Sequence, residues 1–146
     1  MSESCTLYCR NCDLPAVLSI CREYGDNLLV TGSDAEWSSA ILHGNMSTLR
    51  LTPLVHRERA DKFSKLLLST YMWADRCKTV GAAVDDGVLS HIENCALIVG
   101  IVADPDFETD GRFFAAVLEI ARQLDGLVFD GNRILNALGN VVCEEP

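Results

Sequence analysis

The sequence has no apolar run long enough to cross a membrane, and it is poor in basic residues. Its longest apolar stretch, residues 96–103, has eight residues, whereas a membrane-spanning helix needs ~20. Twelve Lys and Arg residues stand against twenty-one Asp and Glu, for a net charge of −9. Because binding to phosphates depends on Lys and Arg, we predict that neither nucleic acid nor an anionic membrane is a partner.

We also predict no secretory leader. The first residues carry neither a basic segment nor the apolar segment of about 7–15 residues that a signal peptide needs. We therefore predict a cytoplasmic protein whose seven cysteines stay reduced, and the odd number agrees with this. Cys21, Cys77 and Cys95 lie within or beside apolar patterns, where a free cysteine packs as a small apolar side chain.

Familiar catalytic motifs are absent as well. His43, His56 and His91 are scattered, without an HExxH pair, and no Gly-x-Ser-x-Gly segment occurs. No glycine-rich phosphate loop follows either of the first two predicted strands. We therefore predict no cofactor and assign no catalytic residue.

Residues 96–131 have the clearest secondary-structure pattern in the sequence. They predict a strand, an acidic loop, a helix and a second strand, in that order. Residues 96–103 are rich in Val and Ile, as in a buried strand. Thr109 or Asp110 is predicted to cap the helix, and Gly126 to end it. Its apolar stripe has helical spacing: Phe113, Phe114, Val117, Leu118, Ala121 and Leu124.

The rest of the chain supplies further strands and helices. Residues 5–9 alternate as a strand does, and Asp13 and Gly25 bound a predicted helix. A strand at 28–31 precedes a hairpin formed by 40–43 and 48–55. A long helix over about 58–77 and a shorter one containing Val84, Val88 and Ile92 follow, and 132–142 reads as a tail.

This order predicts one α+β domain over residues 1–146. The expected sheet is mixed, with five or six strands and with helices mainly on one face. Ferredoxin-like β-α-β units are expected at both ends of the chain. Residues 5–9 and 96–103 should be inner strands, because they are apolar on both sides.

Three short segments resemble an uncharacterised bacterial family. They are Cys5-Thr-Leu-Tyr, Asp61-Lys-Phe-Ser-Lys65 and Ala121-Arg-Gln-Leu-Asp-Gly-Leu-Val-Phe129. Members of that family are small α+β proteins, and the family also occurs as an N-terminal region of larger proteins of unknown function. The resemblance implies an α+β fold and supplies no activity.

The spacing Cys5-x3-Cys9-x2-Cys12 matches that by which radical S-adenosylmethionine enzymes bind an iron–sulfur cluster. The context differs, since 146 residues are too few for the large barrel of those enzymes. A zinc site completed by Cys21 or by a histidine is a second alternative. Burial of the thiols or simple exposure is the default interpretation.

The acidic segment Asp106-x-Glu108-x-Asp110-Gly111 matches the first half of a calcium loop. The second half fails, because the position that should hold a bidentate Glu is Val117. Carboxylates are favoured before a helix N-terminus in any case. Trp37 lies among polar residues, which predicts either a partly exposed interface anchor or a side chain that covers one edge of the core.

Charge is unevenly distributed along the chain. Residues 79–111 contain seven carboxylates and no Lys or Arg, whereas residues 50–78 contain seven basic and three acidic residues. This asymmetry serves either to attract a partner or to let the acidic segment, with Asp85 and Asp86, lie against a basic helix. The cations of that helix are Arg57, Arg59, Lys62 and Lys65.

We therefore predict a non-catalytic protein-binding module, comparable by analogy to acidic immunity proteins that bind basic toxins. The predicted partner is another protein, and the negative charge favours a basic one; a homodimer is also compatible with the sequence. The alternative is a small metal-binding protein or thiol-dependent enzyme that uses Cys5, Cys9 and Cys12 or the loop 104–110. The predicted protein-binding residues are Asp104, Asp106, Glu108, Asp110 and Trp37.

Overall fold

One antiparallel sheet contains all the strands that the structure describes. The computed structural model describes residues 2–55, 60–79 and 87–144. The strands are β1 (Glu3–Cys9), β2 (Leu28–Ser33), β3 (Glu36–His43), β4 (Thr48–Val55), β5 (Leu97–Asp104), β6 (Gly126–Phe129), β7 (Arg133–Leu135) and β8 (Val141–Glu144). The helices are α1 (Leu14–Tyr24), α2 (Ala60–Thr79), α3 (Val88–Glu93) and α4 (Arg112–Leu124).

The strand order across the sheet is β2-β3-β4-β5-β1-β6-β7-β8. The predicted α+β class is confirmed, but the sheet has eight strands and its neighbouring pairs are antiparallel rather than mixed. Of the two additional strands, β7 lies in the segment 132–142 that reads as a tail, and β8 begins there. With three and four residues they are too short to show an alternating pattern.

Strands β1 and β5 are inner strands, as predicted. β1 pairs with both β5 and β6, and β5 pairs with both β4 and β1. Strands β5 and β6 therefore run parallel on either side of β1, with α4 connecting them, which is a split β-α-β unit. At the other end α1 leads to β2, which is also parallel to β1 but four places away in the sheet.

Helices cover both faces of the sheet, so the prediction of helices mainly on one face is wrong. Helices α1 and α4 pack on the first face, where Leu7 and Val99 are buried. Helices α2 and α3 pack on the second, where Tyr8 and Ile98 are buried. Since β1 and β5 are apolar on both sides, each side has to be covered. Among the described residues, no helix is both long and apolar enough to span a membrane.

The helix ends differ in part from the prediction. Asp13 caps α1 as expected, since its Oδ1 accepts a hydrogen bond from the Ala16 N–H at 3.0 Å. For α4, Gly111 occupies the cap position, and Asp125 rather than Gly126 is left-handed. Gly126 already belongs to β6, where a Cβ atom would lie 3.0 Å from the Cys9 sulfur. The predicted start of α2 near residue 58, and Val84, lie outside the described residues.

Candidate functional site

The acidic loop between β5 and α4 is held in one conformation by its own side chains. Asp106 Oδ1 accepts hydrogen bonds from the N–H and the hydroxyl of Thr109, both at 2.7 Å. These bonds lower the pKa of Asp106. Glu3, at the start of β1, accepts a bond from the Phe107 N–H at 3.0 Å. The loop is therefore attached to the sheet through a residue more than 100 positions away.

Asp110 belongs to the interior of the protein rather than to its acidic surface. Its side chain is 5% exposed, and its Oδ2 lies 2.6 Å from Arg112 Nη2. The same carboxylate accepts bonds from the backbone N–H groups of Asn45, at 3.0 Å, and Arg112, at 3.1 Å. Hydrogen bonding to the Arg112 side chain holds the pKa of Asp110 well below its usual range.

The contacts of Asp110 connect α4 to the turn of the β3–β4 hairpin. A Cβ atom at Gly44, in that turn, would collide with the Asp110 carboxylate and with the Phe113 ring. The sequence predicted that Asp110 lies at the centre of a protein-binding surface, but its side chain is almost completely buried and cannot contact a partner directly. Its arrangement instead fixes the position of the acidic loop.

A groove of about 690 Å³ lies at the end of the sheet where the acidic loop meets β1. Carboxylates from three distant parts of the chain surround it: Glu3 on β1, Glu108 on the loop and Asp130 after β6. Its apolar lining comes from Cys5, Phe107, Phe114, Val128 and Leu135. We call this site the acidic groove.

The charges around the acidic groove are predominantly negative. Asp130 Oδ2 lies 3.1 Å from Arg133 Nε, and Arg133 is the cation that lines the groove. Burial acts to raise the pKa of Asp130, but hydrogen bonds from the Asn132 and Arg133 N–H groups outweigh it and lower the pKa. Burial and the charge of Asp130 together raise the pKa of the Cys5 thiol to about 12.

The structure distributes the four predicted carboxylates over different places. Glu108 is exposed and lines the acidic groove, and Asp106 stabilises the loop that carries it. Asp104 is exposed at the end of β5; by alternation with the buried Ala103, it belongs to the second face. Asp110 is internal. The acidic stretch is therefore not one continuous surface.

Sequence reasoning missed Glu3, Asp130 and the aromatic pair Phe107–Phe114. The two rings meet edge to face, with centroids 5.7 Å apart. Glu3 and Asp130 come together because β1 pairs with β6, for example Thr6 with Phe129. A prediction of that strand pairing would have been the signal needed to find them.

Trp37 is buried rather than partly exposed. Its side chain is among the core residues at 3% exposure, and its indole N–H donates to the Leu14 carbonyl at 2.9 Å. The indole thus fixes the start of α1 against β3. This placement matches the alternative that Trp37 covers an edge of the core.

The structure separates the three cysteines of the predicted metal motif. Cys5 and Cys9 are both buried, four residues apart on one strand, which corresponds to roughly 13 Å. Bonds from sulfur to zinc are about 2.3 Å long, so one ion cannot bind both thiols while β1 is intact. Cys12 lies beyond the strand and is exposed. Among the described residues, no group of three His, Cys, Asp or Glu side chains is placed to hold a metal ion.

Burial favours the protonated form of the thiols of Cys5, Cys9, Cys21 and Cys95, because it raises the pKa of each. Burial, and then the neighbouring Cys95 and Cys12, raise the pKa of Cys9 far above its usual range. Burial likewise raises the pKa of Cys21 to about 12 and that of Cys95 to about 11. Cys21 and Cys77 are buried, as their apolar surroundings predicted. A protonated thiol is a poor nucleophile and a poor metal ligand.

The basic segment does not neutralise the acidic loop within the part of the chain that the structure describes. Lys62 and Lys65 are exposed on α2, and no ion pair between described residues joins that helix to the loop. The other residues of this hypothesis, Arg57, Arg59, Asp85 and Asp86, lie outside the described residues.

No protein-family model matches the sequence, and no curated protein and no solved structure is significantly similar to it.

Proposed function

We propose that this chain is a non-catalytic protein-binding module and that it recognises a basic partner protein through the acidic groove and its rim. The observation that carries the proposal is the convergence of Glu3, Glu108 and Asp130, from three separate segments, around one concave site. The net charge of −9 acts in the same direction. Complementary charge accelerates association with a basic partner and discriminates against acidic ones.

The proposed location is the cytoplasm. No disulfide joins any of the described cysteines, and a reducing compartment keeps thiols from forming disulfides. The immunity proteins remain an analogy for the mode of action, in which an acidic domain occupies the basic surface of another protein. The resemblance to an uncharacterised bacterial family agrees with a bacterial origin.

The proposal is tested by reversing charge on the rim without touching the internal Asp110. In the variant Glu108→Lys combined with Glu3→Gln, the Gln oxygen still accepts the Phe107 N–H and keeps the loop in place. A matched control, Glu23→Lys combined with Glu36→Gln, changes net charge equally at exposed residues away from the groove. Each protein is immobilised and used to capture partners from a bacterial lysate, and the captured protein is then purified for kinetics.

We expect the rim variant to associate severalfold more slowly with that partner at low salt and to show a weaker salt dependence, because rim charges act mainly on the association rate. The control variant should behave like the wild type, and all three should melt at the same temperature. Equal association by the rim and control variants would contradict the proposal. A lower melting temperature for the rim variant alone would instead assign these carboxylates to the fold.

A further inference from the structure

The acidic groove combines an apolar lining with a rim of carboxylates, and this combination restricts what it can bind. An apolar ligand would form no ion pair with the carboxylates, whereas a small inorganic cation would leave the apolar lining exposed to water. The ligand that satisfies both parts has an apolar stem and a cationic end. Among protein side chains, Arg and Lys have this form.

We propose that the acidic groove receives a single arginine side chain of the partner protein. The proposal rests on the proposed function, since it specifies which group of a basic partner enters the site. The guanidinium would lie between Glu3 and Glu108, and the aliphatic stem would contact Phe107 and Phe114.

The carboxylates of Glu3 and Glu108 are available for such a contact. Glu3 uses Oε1 to accept the Phe107 N–H, and within the described chain its Oε2 has no hydrogen-bond partner. The Glu108 side chain is exposed and makes no hydrogen bond or ion pair with any described residue. Glu3, Glu108 and Asp130 against Arg133 leave an excess of two negative charges around the groove.

One guanidinium, that of Arg133, already lines the groove. Arg133 lies along the β6–β7 turn with its Nε 3.1 Å from Asp130 Oδ2, while its side chain remains 48% exposed. Asp130 is therefore already paired with a cation. Glu3 and Glu108 are the carboxylates that remain for an incoming group. Arginine fits this site better than lysine, because its planar head bonds to two carboxylates and stacks on aromatic rings.

The test uses single amino-acid derivatives as probes of ¹⁵N-labelled protein by nuclear magnetic resonance. N-acetyl-arginine methylamide is compared with the lysine derivative and with the uncharged citrulline derivative, which has nearly the shape of arginine. We expect saturable shifts of the amides of Ser4, Cys5, Phe107, Glu108 and Asn132 with arginine. The lysine derivative should bind more weakly, and citrulline should cause no saturable shift.

In the double variant Glu3→Gln/Glu108→Gln the dissociation constant for the arginine probe should rise about three- to tenfold, as expected for two exposed charge pairs. The control Glu23→Gln/Glu36→Gln changes net charge equally and should leave it unchanged. Equal shifts with arginine and citrulline, equal binding of arginine and lysine, or an equal response of both variants would each overturn the proposal.

The outcome separates this inference from the proposed function. If the arginine probe fails while the rim variant still slows association with a basic protein, the module recognises charge without an arginine anchor. If the probe binds as expected but no protein associates in a rim-dependent way, the groove binds arginine and the protein-binding function fails.

Discussion

The acidic loop lies beside one end of strand β1 and Cys9 and Cys12 lie at the other, and burial makes the two ends chemically different. At the end with Glu3, carboxylates surround an open groove. At the end with Cys9, that thiol is buried, and burial raises the pKa of both Cys9 and the neighbouring Cys95. Cysteines and carboxylates that a sequence marks as candidate binding residues can therefore bind a ligand only where the fold leaves them accessible.

Each end also contains a residue of its own predicted set that departs from this pattern. Asp110 lies near the carboxylate end but is buried, and Cys12 lies near the cysteine end but is exposed. If accessibility decides the role, Asp110 should matter for stability and Cys12 should not. This pair of exceptions makes the comparison testable.

The largest effect is expected for Asp110→Ala, which should lower the free energy of unfolding by about 2–3 kcal/mol, since the N–H groups of Asn45 and Arg112 lose a charged acceptor. The pKa of Asp110 is lowered in the folded state, so its contribution is present above about pH 4, the ordinary value for Asp. It is lost as the pH falls through the folded pKa. Urea unfolding of wild type and variant at pH 7 and pH 3 should therefore show a smaller difference at pH 3. A difference that does not depend on pH would contradict this role.

The elements were predictable from the sequence wherever apolar residues repeat with a clear period. The inner strands β1 and β5 and the helix α4 have strong patterns, and the structure contains them. The pairing of strands was not predictable in the same way, because it depends on contacts between residues far apart in the sequence. The pairing of β1 with both β5 and β6 is one example.

The candidate site shows the same limit. The sequence identified Glu108 and its loop, but the groove also requires Glu3 and Asp130, which only strand pairing brings near. The carboxylates between Asp104 and Asp110 are chemically alike but have different environments. Only Asp110 among them bonds to Arg112 and to the Asn45 N–H. Local sequence contains no signal for that distinction.

The second largest effect is expected for Cys9→Ser. The side chain is fully buried, and a hydroxyl without an acceptor in that place should cost about 1–3 kcal/mol. Cys12→Ser, at an exposed position, should change stability by no more than about 0.5 kcal/mol. Both are measured by urea unfolding under reducing conditions. Equal losses for the two variants would indicate that the thiols act together, for example by holding a common ligand.

A smaller effect is expected for His91, near the cysteine end. Burial first, and then the charge of Arg10, lower the pKa of His91 in the folded protein. Its Nε2 is buried without a hydrogen-bond partner among the described residues. The associated stability is therefore present above about pH 6.5, the ordinary value for His, and is lost as the pH falls through the folded pKa.

The measurement for His91 is urea unfolding at intervals between pH 7 and pH 5. The wild type should lose stability over this range, and His91→Gln should lose less, whereas Asp110→Ala should keep the wild-type slope. The two ends of β1 would then respond to acid in separate windows, the cysteine end first. If His91→Gln has the wild-type slope, the ring is solvated enough to titrate as it does in the unfolded chain.

The smallest effect on stability is expected for Glu108→Ala. The Glu108 side chain is exposed and makes no contact of its own with the described residues that would hold the loop, so the free energy of unfolding should change by no more than about 0.5 kcal/mol. The same variant should weaken binding of the arginine probe. Asp110 does not line the groove and affects this binding only by fixing the position of the loop. A loss of stability as large as that of Asp110→Ala would show that the groove rim is part of the internal network. In that case Glu108 would be a structural residue like Asp110, and the carboxylate end of β1 would not provide an accessible binding site. The binding site would then lie elsewhere on the sheet.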